Sequence, residues 1–160
     1  MPTYGFATML EDHPVGYEFS SDNIPLHLTH IDSFRVDMDH DTLASKLTEV
    51  LSGQRQVNTV ALDVKFYGPD NDILVTELSL TAELALLHTA LVQLVEQAGG
   101  TFKRPHFQKD GYKPHVTVVN NKMIAAGTTV TIKDISIAAK VSDDENADRK
   151  ILETIPLVQN

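Results

Sequence analysis

Two short apolar segments, "IPLHLTH" at residues 24–30 and "KPHVTVVNN" at 113–121, limit what this chain can fold into more than any other feature. In the first, Pro25-Leu26-His27-Leu28-Thr29 alternates apolar and polar side chains. In the second, Pro114-His115-Val116-Thr117 repeats the pattern 88 residues later. Side chains two apart on a strand share a face. Each segment therefore carries a histidine and a threonine on one face and an apolar residue on the other. One His-x-Thr is a common solvated strand face. Two of them, each just after a proline, one in each half of the chain, are a specific signal of a fold that gives the two halves matching strands.

The remaining elements support such a duplication. The order reads strand, helix, hairpin, then helix, strand, hairpin. A first strand is expected over 4–10 and the strand "IPLHLTHIDSFRV" over 24–36, with a turn-rich extended loop at 11–23 between them. A helix is expected over 39–53, capped by Asp39 or Asp41, with Leu43, Leu47, Val50 and Leu51 as its apolar stripe and Gly53 as its stop. In "NTVALDVKFYG", Val60, Leu62, Val64 and Phe66 form an apolar face, and a turn at 68–72 leads to a partner strand at 73–80. The helix from the Thr81 cap to the Gly99 stop carries Leu84, Leu87, Leu91, Leu94 and Val95 on one stripe. His88 falls on that stripe and reads as a histidine at the edge of the core. In "TTVTIKDISIAAKV" the apolar phase switches from Val130 and Ile132 to Ile135 and Ile137, which predicts a bulge at Lys133–Asp134. An acidic loop at 142–148 and a strand at 149–158 complete the chain. The expected class is α+β, one domain over 1–160 in two lobes.

Charge narrows the functions. The net charge of −9 disfavours a protein that coats long nucleic acid, because such proteins carry a basic footprint. It leaves room for a small phosphorylated substrate. The stretch "TFKRPHFQKDGYKPH" gathers Lys103, Arg104, Lys109 and Lys113 against Asp110 alone. With no cysteine, disulfides, thiolate metal sites and a cysteine nucleophile are excluded. No apolar run reaches the length of a membrane span, and the first residues lack the basic flank and apolar run of a signal peptide. A cytoplasmic protein is expected. "DMDHD" at 37–41 spaces Asp37, Asp39 and Asp41 like a calcium loop. Thr42 then stands where glycine belongs and Thr48 where glutamate belongs, so a solvated helix cap is the better reading.

The paired motifs, with Tyr112-Lys113-Pro114-His115-Val116-Thr117 as an aromatic-x-Pro-His-x-Thr and a leucine-rich helix before it, resemble the two-histidine (2H) phosphoesterase superfamily. That group includes the bacterial 2'-5' RNA ligase-like proteins and cyclic nucleotide phosphodiesterases. The resemblance spans about residues 24 to 141. It departs at 11–23, where many members carry a helix that this segment is too short and too rich in turn formers to form. The resemblance implies two pseudo-symmetric lobes, each with an antiparallel sheet and an outer helix, and a central cleft between the two His-x-Thr strands. It implies a metal-independent phosphodiesterase without cofactors, with His27, Thr29, His115 and Thr117 as catalytic residues. The physical chemistry agrees. Histidine serves in both protonation states near neutrality, so two can divide base and acid, while threonine hydroxyls donate to the phosphate oxygens. Expected substrate-binding residues are Tyr112, Lys113, Tyr4, Phe6 and Arg104. The expected partner is a nucleotide, cyclic oligonucleotide or RNA end, bound by a monomer. Small phage-encoded members degrade cyclic oligonucleotide immune signals, and this chain is of suitable size. Sequence neighbours favour His115, beside the basic stretch, as the base and His27, in the acidic half, as the acid. The alternative is a non-catalytic nucleotide- or RNA-end-binding module of the same fold.

Overall fold

Strand β1 (Thr3–Met9) pairs with β3 (His27–Arg35) on one side and β9 (Asp134–Lys140) on the other. Gly5 sits where β3 bulges towards it: a Cβ there would lie 2.5 Å from the Asp32 carbonyl oxygen, so only glycine fits. The computed structural model describes residues 1–20, 23–144 and 146–160. The predicted loops at 11–23 and 142–148 fall partly outside the described residues, at 21, 22 and 145.

The sheet runs in the order β2 (Glu18–Phe19), β10 (Arg149–Pro156), β9, β1, β3, β7 (His115–Thr117), β5 (Ile73–Leu78), β4 (Val57–Tyr67) and β8 (Thr129–Ile132), with β6 (Thr101–Phe102) also beside β3. Each pairing of these strands is antiparallel. The chain's two halves meet at β3 and β7, where Leu28 stands opposite Val116.

Helices α1 (His40–Val50) and α2 (Ala82–Gln97) start where short polar side chains satisfy free backbone N–H groups. Asp39 accepts from the Thr42 N–H at 2.8 Å, and Thr81 Oγ1 accepts from the Leu84 N–H at 3.1 Å. The predicted stripe of α2 is wholly buried: Leu84, Leu87, Leu91, Leu94 and Val95 join Leu43 and Leu47 of α1 in one core. Each such leucine contributes about 2 kcal/mol through removal from water. Val50, assigned to the α1 stripe from the sequence, is exposed instead. Leu28 and Val116 point into this same core. The helices thus cover one face of β3 and β7 and leave the other to the His-x-Thr side chains.

Three expectations change. The face of β4 expected to be buried, Val60, Leu62, Val64 and Phe66, is exposed, while Val57, Thr59 and Ala61 are buried. The cause is pairing: Thr59 lies opposite the buried Val130 of β8, and a register shift between Ala61 and Val64 alters the strand's second half. The phase switch at Lys133 is not a bulge within one strand. It is the crossing from β8, which pairs with β4 in one half, to β9, which pairs with β1 in the other. Finally, the segment after β1 packs down. Tyr17, Phe19 and Ile24 meet Met9, Ala138 and Ile151 in a second, smaller apolar cluster.

Candidate functional site

Because Leu28 opposes Val116 in an antiparallel pair, His27 lies beside Thr117 and Thr29 beside His115 on the uncovered face. The two motifs are thus brought together in a two-fold arrangement. Each imidazole is fixed in the same way. His27 Nδ1 donates to the Pro25 carbonyl at 2.8 Å, and His115 Nδ1 donates to the Lys113 carbonyl at 2.7 Å. A carbonyl only accepts, so each Nδ1 carries a hydrogen and each Nε2 is left free for the open face. Neither the Thr29 nor the Thr117 hydroxyl is bonded to another group of the protein among the described residues.

Burial pushes the His27 imidazole below the ordinary histidine value. The charges of His115 and Arg149 push the same way, against the Pro25 carbonyl, which favours the cation. Burial thus disfavours the His27 cation, despite its acidic stretch of sequence.

Side chains from three further strands approach. Tyr67 of β4 sets its ring edge-on to His115, with centroids 5.0 Å apart, and its hydroxyl donates to Glu77 of β5. Glu77 lies directly opposite His115 in the register and pairs with Lys65 at 2.9 Å. These bonds hold the Glu77 carboxyl below the usual carboxylate range. Burial first, then the bond to Glu77, raises the Tyr67 hydroxyl. Arg149 of β10 donates from Nη2 to Ser33 Oγ at 2.9 Å. Sequence reasoning misses Tyr67, Glu77 and Arg149. A Lys65–Tyr67 face is legible by alternation, but a lone arginine opening the last strand carries no local signal.

Three expected substrate contacts, Tyr4, Phe6 and Tyr112, are placed otherwise. Tyr4 and Phe6 are even-numbered residues of β1 and face the core, where both pack on Phe34, at 6.0 and 4.9 Å between ring centroids. The Tyr4 hydroxyl donates to the Met38 carbonyl. Tyr112 is buried too. It stacks on His88 at 3.9 Å and donates to the Thr29 carbonyl, so it supports the first motif rather than a base. Arg104 is paired with Asp32 at 2.9 Å. Lys113 stays exposed, and its carbonyl holds His115.

Two more histidines serve the frame. His88 donates to the His30 carbonyl at 3.1 Å and accepts from the Lys109 N–H at 3.0 Å, which ties α2 to β3 and to the basic loop. His30 is fully buried and donates from Nε2 to Thr8 Oγ1 at 2.7 Å, since Thr8 itself donates to the Asp134 carbonyl. Burial, aided by the charges of His88 and His27, lowers the His30 pKa to about 3. Below an unfolded value near 6.5 the unfolded chain takes up a proton that the folded chain refuses until about pH 3. Stability is therefore lost as pH falls through that window, by roughly 1.4 kcal/mol per pH unit for this group. His30→Gln keeps a donor to Thr8 and removes the titration. Thermal melts at pH 7 and pH 4.5 should show a smaller drop in Tm for the variant than for the native protein. An equal drop would assign the acid sensitivity elsewhere.

Among the described residues, His40, Asp41 and Glu153 bring possible ligand atoms within 4.8 Å of one another. They lie at the start of α1 and on β10. Asp39, from the calcium-like spacing, is spent on capping α1. No helix among the described residues is long and apolar enough to cross a membrane.

The fold is that of several solved structures. E. coli LigT complexed with 3'-AMP superposes with a TM-score of 0.58 at 18% identity, covering 99% of this chain and 100% of LigT. LigT complexed with NADP+ gives 0.57 at 16% identity, over 99% and 98%. TT0787 of Thermus thermophilus gives 0.58 at 14% identity, over 98% of both chains. No curated protein sequence matches. The family model described as the 2'-5' RNA ligase superfamily matches residues 13–132, which spans both His-x-Thr motifs and most of the chain, and the protein belongs to that superfamily of 2H phosphoesterases.

Proposed function

We propose that this protein is a metal-independent phosphodiesterase that opens a 2',3'-cyclic phosphate or cleaves a 2'-linked phosphodiester of a nucleotide, a cyclic oligonucleotide or an RNA end. One observation carries the reading. Two histidines with the same Nδ1 anchoring present Nε2 to one open face, each with the other motif's threonine beside it. Such an arrangement fits a single phosphorus atom between the imidazoles.

The chemistry follows from the protonation states. His27, held neutral by burial, takes a proton from the attacking water as its oxygen bonds to phosphorus. The bond to the leaving ribose oxygen breaks, and His115 gives that oxygen a proton. The product is a phosphate ester with a free hydroxyl. The histidines end in exchanged protonation states, and exchange with water resets them. The Thr29 and Thr117 hydroxyls donate to the non-bridging oxygens as charge builds there. Arg149 adds positive charge close enough to act on His27. The imidazoles and hydroxyls supply every proton transfer, so neither a metal nor another cofactor enters. The enzyme is taken to act as a monomer in the cytoplasm.

A panel of 2',3'-cyclic mononucleotides, 2'-5' and 3'-5' dinucleotides, and cyclic di- and trinucleotides tests the reading. Turnover of at least one class is expected, at a rate that chelator leaves unchanged. Binding without turnover across the panel would leave a nucleotide-binding module instead. Loss of activity in chelator, restored by a divalent ion, would turn attention to His40, Asp41 and Glu153.

A further inference from the structure

The face that carries His27 and Thr29 continues along β1 and β3, past the buried Ala7 and Ser33, to a second polar site. β1 is regular, so its odd-numbered residues share one face: Met9 lies opposite His27, Ala7 opposite Thr29 and Thr3 opposite Arg35. Arg35 is therefore on the face of His27, six β1 residues away, or about 20 Å at the strand rise. There a cavity of about 300 Å³ is lined by Ser33, Arg35, Phe102, Lys103, Lys140 and Asp143, among others. Three cations meet one carboxylate, in a chain of net charge −9. Among the described residues, neither Arg35, Lys103 nor Lys140 forms an ion pair. Gathering unpaired cations in a concavity is unfavourable unless an anion joins them. Between this cavity and the histidines lies Arg149, bonded to the cavity's own Ser33.

We propose that this cavity is a distal subsite for the phosphate backbone of a single-stranded oligonucleotide whose reacting phosphate lies between His27 and His115. This rests on the phosphodiesterase reading above. Spacing selects the ligand. About 20 Å corresponds to some six nucleotides at the stacked rise of about 3.4 Å per nucleotide, and fewer in a stretched strand. A mononucleotide at the histidines cannot reach it; a short oligonucleotide can. A cationic groove beside an aromatic ring suits a single strand, and the half-buried Phe102 offers an apolar wall.

The test compares an eight-nucleotide strand ending in a 2',3'-cyclic phosphate with the 2',3'-cyclic mononucleotide. The native protein is compared with the triple variant Arg35→Gln, Lys103→Gln, Lys140→Gln. The native protein should favour the longer substrate in kcat/KM by tenfold or more. The variant should lose at least most of that advantage through KM. Its log KM should also depend less steeply on log salt, by about 0.7 for each phosphate no longer neutralised. No preference for length in the native protein, or an equal preference in the variant, would overturn the subsite. If neither substrate is turned over, the phosphodiesterase reading fails on its own. Equilibrium binding of the same two ligands then decides the subsite: a length preference present in the native protein and absent from the variant sustains it, and any other pattern overturns it.

Discussion

His27→Ala and His115→Ala are each expected to lower turnover of a phosphodiester substrate by about a hundredfold or more, the scale of losing a positioned base or acid. Neither imidazole has a substitute among the described residues. The Nδ1 of each is held by a carbonyl two residues back in the chain, and the neighbouring titratable groups are committed elsewhere. Glu77 is bound by Lys65 and Tyr67, His30 is buried against Thr8, and His88 is bonded at both nitrogens. The double variant should be little worse than the poorer single one, because the two histidines act on one proton inventory. Steady-state rates with the substrate identified by the panel check this. Near-native activity in either single variant would remove that histidine from the chemistry.

Thr29→Val and Thr117→Val should each cost about ten- to a thousandfold in kcat. Valine keeps the β-branched shape and the strand, so the hydroxyl is the only thing lost. Among the described residues both hydroxyls are free of protein partners, and they flank the histidines on the open face, which leaves them available to the non-bridging oxygens. Serine at either position restores the donor and should recover most of the rate. The pH dependence should keep both its limbs in the valine variants, since neither titrating group is removed. Loss of a limb, or failure of serine to rescue, would point to a structural role for the threonine.

The parts of this molecule legible in the sequence are those set by local period. The α2 stripe from Leu84 to Val95 has helical spacing and is buried as that spacing requires. The paired His-x-Thr strands are legible because the pattern occurs twice. What the sequence does not reveal depends on which face of a strand the fold covers. β1 is buried on both faces along most of its length, so alternation alone does not tell that Tyr4 and Phe6 face the core. In β4, pairing with β8 and a register shift put Val60, Leu62, Val64 and Phe66 outside. The proposed roles of the two histidines differ from those read off the sequence because sequence neighbours are poor stand-ins for spatial ones. His27 comes from an acidic stretch, yet burial first, and then the charges of His115 and Arg149, both more than eighty residues away in the chain, disfavour its cation.

A leaving-group series tests the division of labour between the two histidines most directly. A phosphodiester with a nitrophenolate leaving group needs little protonation as its bond breaks, so it no longer depends on the acid but still needs the base. With that substrate His115→Ala should return to within about tenfold of the native rate, while His27→Ala should remain about a hundredfold or more below it. Equal impairment of the two variants on the activated substrate would contradict the account.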